Sequence, residues 1–411
     1  MRYTTALDCL NFFLADVRGG LGPYVGVFLI TQAHWDQATL GTVLTVSGLL
    51  GITLHTPIGA FIDATRAKRG LIIAGVVLLA VSGVGIVLAP VWPVVLGADI
   101  GMAVLGAIFG PTVAAITLGL VVPSALAMRL GRNAAADRAG NIFIAGLAGF
   151  VGWWLSQRAV FYLVPLFACL SVAAVLAIPA GAIDHERARG FASREEEDRP
   201  PLAWRHLFEN RTLLVLAASA ALFHFANGPM LPMLGQKLAL AHPGEETVWL
   251  SASIVTAQFV VIPVAMLVGA TADTWGRKPL LLLGFAALPI RGVLYTLSDD
   301  AIWLVGVQVL DGVGIGIYGT LLPLILADVM RGTGRYNVGQ GIVGTVQGVG
   351  GSLSNVFAGL IVVAQGYNAA FLALASVAAT AFLLVLLALP ETVNLNDAGG
   401  DGDGDGLTGK R

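Results

Sequence analysis

Two short segments of this chain repeat one another. Gly59-Ala-Phe-Ile-Asp63-Ala-Thr-Arg66-Ala-Lys68-Arg69 closes one long apolar run, and Gly269-Ala-Thr-Ala-Asp273-Thr-Trp-Gly276-Arg277-Lys278 closes another. Each sets a Gly and, four residues on, an Asp at the end of a run, followed by a basic turn. A repeat of this kind in a chain of 411 residues points to a duplicated helical bundle. What surrounds the repeat points to a bundle inside a membrane.

Hydrophobic residues make up 56% of the chain and charged residues 12%, where a soluble domain carries about 25% charged residues. Apolar runs long enough to cross a bilayer, roughly 20 residues each, recur along nearly its whole length. The net charge of −2 names no partner, because the charges are segregated by side. No basic stretch with interleaved aromatics suggests nucleic acid. Cys9 and Cys169 both lie inside apolar runs, so neither a disulfide framework nor a metal site is indicated. The first run is too long for a signal peptide and reads as a retained span.

Twelve spans are expected, at about 6–30, 38–62, 70–90, 93–122, 139–157, 160–180, 212–236, 247–271, 279–297, 301–327, 338–364 and 368–390. Arg66, Lys68, Arg69, Arg129, Arg132, Arg138, Arg277, Lys278, Arg331 and Arg335 then fall in alternate loops, while the intervening loops hold only Arg158 and Lys237. Lys and Arg concentrate on the cytoplasmic side of membrane proteins, so both termini are expected inside the cell. Domain boundaries follow: a first six-helix bundle over 1–180, a cytoplasmic linker over 181–211, a second bundle over 212–390 and a disordered tail over 391–411. The tail's alternating Asp and Gly from Asp401 imitate a calcium loop, but the closing Glu would fall beyond Arg411.

Two six-span halves with this motif after spans 2 and 8 resemble the major facilitator superfamily of secondary transporters. The family's pattern is Gly-x-x-x-Asp, a cation, any residue, Gly and two cations. Gly269, Asp273, Gly276, Arg277 and Lys278 match it well; the first copy departs, with Ala64 at the basic position and Arg66 at the turn glycine. The resemblance implies an all-α integral membrane protein of two pseudo-symmetric six-helix bundles. Physically, Gly allows close helix approach, and an Asp at the surface can accept from a neighbouring helix N-terminus and complement its dipole. Gly59, Asp63, Arg66, Gly269, Asp273, Gly276, Arg277 and Lys278 are therefore expected to form a latch between the halves.

An ionised side chain at a helix centre costs about 2.5–3.5 kcal/mol on insertion scales, so each should face a cavity or a partner. The set is Asp16 and Arg18 in span 1, His55 in span 2, Asp99 in span 4, His224 in span 7, Arg291 in span 9 and Asp311 in span 10. Five of these seven lie in spans 1, 4, 7 and 10, which in the family line the central cavity. Asp16 and Asp311 are the expected proton carriers. Arg18, Asp99, His224, Asn227 and Tyr318 are expected to line the substrate cavity, while Arg291 could reach outward to Asp299 and Asp300. Gln258, Gln340 and Gln347 read as hydrogen-bonded cross-links between helices.

These residues suggest transport of a small-molecule solute by alternating access, coupled to protons and directed outward, as in multidrug or metabolite efflux. Span 4 carries Asp99 where exporters of the family carry a basic residue, and span 5 lacks their Gly-Pro element, which leaves an importer or exchanger of an organic anion, held by Arg18, as the alternative. A non-transporting membrane receptor with the same fold is a remote third. No Ser/His/Asp set or metal-spaced His cluster suggests an enzyme, and no cofactor is expected. The chain is expected in the inner membrane, as a monomer in the lipid bilayer.

Overall fold

The computed structural model describes residues 3–15, 22–65, 67–184, 209–330 and 336–392. Among them there is no strand, and the helices account for all twelve expected spans. Span 1 comprises Tyr3–Ala15 and Gly22–Thr31; span 2, Gln37–Ala64; span 3, Lys68–Leu88; span 4, Trp92–Leu120; span 5, Pro123–Trp154; and span 6, Gln157–Val160 with Leu163–Leu176. In the second half, span 7 comprises Arg211–Asn227 and Met230–Ala241; span 8 is Glu246–Trp275, span 9 Arg277–Leu294 and span 10 Ala301–Val329. Spans 11 and 12 share the helical stretch Tyr336–Ala388, divided at Gly366, where φ is +85°. That left-handed conformation suits Gly and reverses the chain without a separate loop.

Eight of the described helices are long and apolar enough to cross a bilayer by length and composition, the last of them holding both spans 11 and 12. The remaining three spans fall short for physical reasons. The described pieces of span 1, of 13 and 10 residues, are each too short alone; span 5 carries Arg129, Arg132, Asp137 and Arg138; and span 9 places Arg277, Lys278 and Arg291 within 18 residues. Span 5 also corrects the sequence reading. It begins at Pro123 rather than near 139, because Pro is favoured in the first helical turn and the Ala-rich stretch after it is strongly helix-forming. Arg129, Arg132 and Arg138 therefore belong to a helix, not to a loop.

Two apolar cores form. One is built from spans 1 to 6, with Ala239 and Leu250 joining it, and the other from spans 7 to 12. Within the first half, span 2 packs on span 4, span 3 on spans 4 and 6, and span 1 on spans 5 and 6. The second half repeats the pattern, with span 8 on span 10 and span 9 on spans 10 and 12. Among the described residues the halves meet chiefly where span 2 packs on span 11, span 5 on span 8, and Gly22–Thr31 on Met230–Ala241 and, more lightly, on span 8. Span 7 breaks at Gly228-Pro229. Pro229 caps the second segment of span 7, where a Pro inside a helix lacks the amide and crowds the carbonyl four residues back.

Candidate functional site

The seam between the halves changes character along its length. At the end opposite the repeated motif the helices meet at several close points, with a groove of about 360 Å³ left open between Phe150 and Trp153 of span 5 and Val248 and Trp249 of span 8. A Cβ on Gly359 would collide with the Gln37 carbonyl oxygen, one on Gly41 with that of Asn355, and one on Gly152 with Thr247 Oγ1. Small residues let helix backbones approach this closely. Hydrogen bonds lock the approach. Thr45 donates to the Ser352 carbonyl at 2.7 Å and accepts from the Val356 amide at 3.1 Å. Tyr24 shares a 2.7 Å bond with Ser251, and Gln37 donates to Tyr367, which donates on to Gln236. Only a void of about 20 Å³ remains between spans 2, 7 and 11 there.

Toward the end bearing the motif the same helices diverge. Nothing lies within 4 Å of a Cβ placed on Gly341 or Gly344 of span 11. Between span 5 and spans 8 and 10 a cavity of about 430 Å³ opens, walled by Ala135, Ile142, Val261, Ile315 and their neighbours. Arg138 lies in its wall and donates to Gln258 Oε1 at 3.1 Å, a bond from one half to the other.

Inside the second half two polar networks meet spans 7, 9, 10 and 11. Arg291 pairs with Asp311, the two side chains 1% and 5% exposed, and donates to Asn227 Oδ1 at 2.8 Å. Asn227 is the last residue before the break in span 7. The expectation that Arg291 reaches Asp299 and Asp300 is thus incorrect: Asp299 pairs with Lys237 at 2.7 Å instead. Taking both charges out of water is costly, and the attraction repays that cost only where further hydrogen bonds, such as the one to Asn227, complete the pair. In the second network Tyr318 donates to Gln347 Oε1 at 2.9 Å, and the Gln347 amide donates at 2.9 Å to His224 Nε2. The His proton therefore sits on Nδ1, facing the Ala220 carbonyl at 3.3 Å. Phe223 stacks on Tyr318 with centroids 4.5 Å apart.

The second motif copy makes its described bonds within its own half. Arg277 pairs with Asp328 at the end of span 10 and with Asp273 at 3.0 Å. Gly276 has φ +85°, and a Cβ there would lie 2.8 Å from Glu391 Oε2. The amides of Arg277 and Lys278, at the start of span 9, donate to the Glu391 carboxylate at 3.1 and 3.0 Å. The helix N-terminus thus takes a carboxylate, but from the end of span 12 and not from Asp273. Gly269 has nothing within 4 Å of a Cβ position.

Asp16, Arg18 and Arg66 lie outside the described residues, as do the side chains of His55 and Asp63; Gly59 falls within span 2. Asp99 faces the Ser47 hydroxyl of span 2 and is apart from the other candidates. The structure therefore brings His224 together with Tyr318, and Asn227 with Asp311. Sequence reasoning missed Arg138 as a residue of the seam and Arg291 as the link between Asn227 and Asp311. Pro123 opening an Ala-rich stretch was the signal for the first. No sequence signal paired Arg291 with Asp311.

The architecture can be set beside known proteins. The family model for the Major Facilitator Superfamily matches residues 7–337 and 216–408. An uncharacterised MFS-type transporter of Mycobacterium tuberculosis is 48% identical over 397 residues, covering 96% of this chain and 94% of its own. A multidrug resistance protein of Schizosaccharomyces pombe is 28% identical over 146 residues, 34% of this chain and 25% of that one. A nucleoside transporter, in a mutant form, superposes with a TM-score of 0.79 at 12% identity, covering 95% of this chain and 100% of that one. A bacterial homologue of the human lysosomal transporter Spinster, inward-facing and unoccupied, gives 0.69 at 15% identity over 94% of this chain and 96% of its own. The chain belongs to the major facilitator superfamily and is a multi-pass membrane transporter.

Proposed function

We propose that this protein is a proton-coupled secondary active transporter that moves a small solute by alternating access and works as an exporter. The observation that carries the reading is the seam, closed by glycine contacts at one end and parted around a cavity at the other. With the basic loops in the cytoplasm, both termini lie inside the cell and the cavity faces inward, ready to load from the cytoplasm. The partial likeness to a multidrug resistance protein supports export.

The coupling route runs through Asp311. Protonating it removes the countercharge of Arg291, leaving a buried cation held by Asn227. Asn227 ends the first segment of span 7, and the segment beyond the break packs on Gly22–Thr31 at the closed end. Proton binding would thereby loosen the closed seam. Asp16 is the second proton carrier of this reading. The latch of Asp63, Asp273 and the following cations would form when the parted end closes.

Flux into liposomes under an imposed pH gradient tests the reading. Asp311→Asn is expected to abolish gradient-dependent accumulation while leaving exchange without a gradient. Unchanged gradient-driven flux in Asp311→Asn combined with Asp16→Asn would remove proton coupling. The anion alternative gains one specific observation, the unneutralised Arg138 in the cavity wall.

A further inference from the structure

We propose that Arg138 and Gln258 bind the acidic group of the transported solute, and that this solute is an amphipathic organic anion. The inference rests on the transporter reading and names its substrate class.

Among the described residues, Arg138 is the one ionisable residue lining a cavity otherwise built of Ala, Gly, Val, Ile and Thr. A cation within a membrane span costs about 2.5–3.5 kcal/mol at a helix centre, so an unneutralised one calls for a reason. The other described arginines of span 5 have acidic partners: Asp8 accepts from both Arg129 and Arg132. Arg138 has the neutral carboxamide oxygen of Gln258 and no carboxylate. Asp137, its neighbour in sequence, is engaged with Asn141, and successive residues on a helix do not face each other. Asp311 is already matched by Arg291. The bond from Arg138 to Gln258 uses one N–H of five, so the guanidinium keeps donors for a carboxylate or sulfonate. Gln258 Oε1 is occupied, which leaves its amide NH₂ as a further donor.

The rest of the cavity fits an apolar body. Its volume, about 430 Å³, lies in the range of sites for drug-sized ligands, about 300–1,000 Å³. Ile262 belongs both to the wall and to the exposed face with Phe259 and Met266, 40%, 62% and 72% exposed. An amphiphile dissolved in the bilayer would meet the cavity along that face. Because Arg138 and Gln258 belong to opposite halves, an anion bridging them also ties the two halves together, coupling occupancy to the seam.

The test uses 4-phenylbutyrate, its primary amide and 4-phenylbutylammonium, three probes with one apolar body and three charges. Binding to the full chain in lipid nanodiscs is measured by titration calorimetry. The carboxylate is expected to bind about 10-fold to 100-fold tighter than the amide, and the ammonium more weakly still. Arg138→Gln should erase the preference for carboxylate over amide, and Arg138→Lys should retain part of it. Gln258→Ala provides an independent variant should Arg138→Gln fail to fold, and is expected to weaken carboxylate binding without affecting the amide. Equal or tighter binding of the ammonium, no binding by the carboxylate at millimolar concentration, or an unchanged preference in Arg138→Gln or Gln258→Ala would overturn the proposal. Labelled 4-phenylbutyrate flux in liposomes separates the two claims. Selective binding without flux would sink the transporter reading and leave the anion site standing, whereas flux without charge preference would do the reverse.

Discussion

The two ends of the seam hold the same pairs of helices by different means. At the closed end Gly41 and Gly359 meet the facing backbone and Gly152 meets the Thr247 side chain, and none of the three leaves room for a methyl group. At the parted end one long side chain, Arg138, spans the gap to Gln258. Close packing is exact and therefore all-or-none, because interiors do not deform continuously. A flexible polar bridge tolerates a range of separations. The closed end thus acts as the element with two discrete arrangements, and the parted end as its adjustable counterpart.

The sharpest way to break this comparison is Gly359→Leu. Overpacking costs about 1–3 kcal/mol or more, and here it falls on the closed arrangement alone. The ratio of closed to open arrangements should drop roughly 5-fold to 150-fold, read as a longer distance between spin labels placed at Trp154 and Pro243. An unchanged distance would mean that this end does not open. Asp311→Asn should lower stability by about 3–5 kcal/mol, because it strands Arg291; Asp311→Asn with Arg291→Gln should recover most of that in thermal unfolding. Tyr24→Phe removes the bond across the seam to Ser251, along with the one to the Ala145 carbonyl, and should shift the closed population by about 3-fold to 5-fold, for about 0.6–1 kcal/mol. Gly344→Ala, in the open stretch, should stabilise the helix by about 0.5–1 kcal/mol with the spin-label distance unaltered. If the parted end closes by the same small-residue packing, flux in Gly344→Ala will nonetheless fall.

The smallest effect concerns Asp36, which caps span 2 beside Gln37 by accepting from the Thr39 amide and hydroxyl. Those bonds, the hydroxyl first, hold its pKa below the ordinary value of 3.8. A depressed carboxylate contributes stability above its unfolded pKa and loses it as pH falls through the folded one. Asp36→Ala should therefore lower the unfolding midpoint at neutral pH, and the difference from the natural protein should shrink below about pH 4.

Much of the fold was legible because the bilayer allows few solutions. Run length and the repeated motif were enough to lay out twelve spans in two halves. Span 5 was misread at its start because basic residues suggested a loop, while Pro123 and the alanines after it favour a helix. The site was less legible. Polar residues could be placed on spans 7 and 10, but a pairing such as Arg291 with Asp311 depends on how separate helices rotate against each other. Periodicity carries no such information. Gln347 shows the same limit: its cross-linking role was readable, its partners His224 and Tyr318 were not.

Glu391 has a practical consequence for anyone handling this protein. Its carboxylate stitches the last residues after span 12 to the turn that opens span 9. A purification tag or fluorescent reporter joined beyond Thr392 leaves that stitch intact. Trimming the chain only two residues further, to Pro390, removes it and uncaps two amides at the start of span 9. Where the cloning boundary is drawn therefore decides whether the start of span 9 keeps its carboxylate cap.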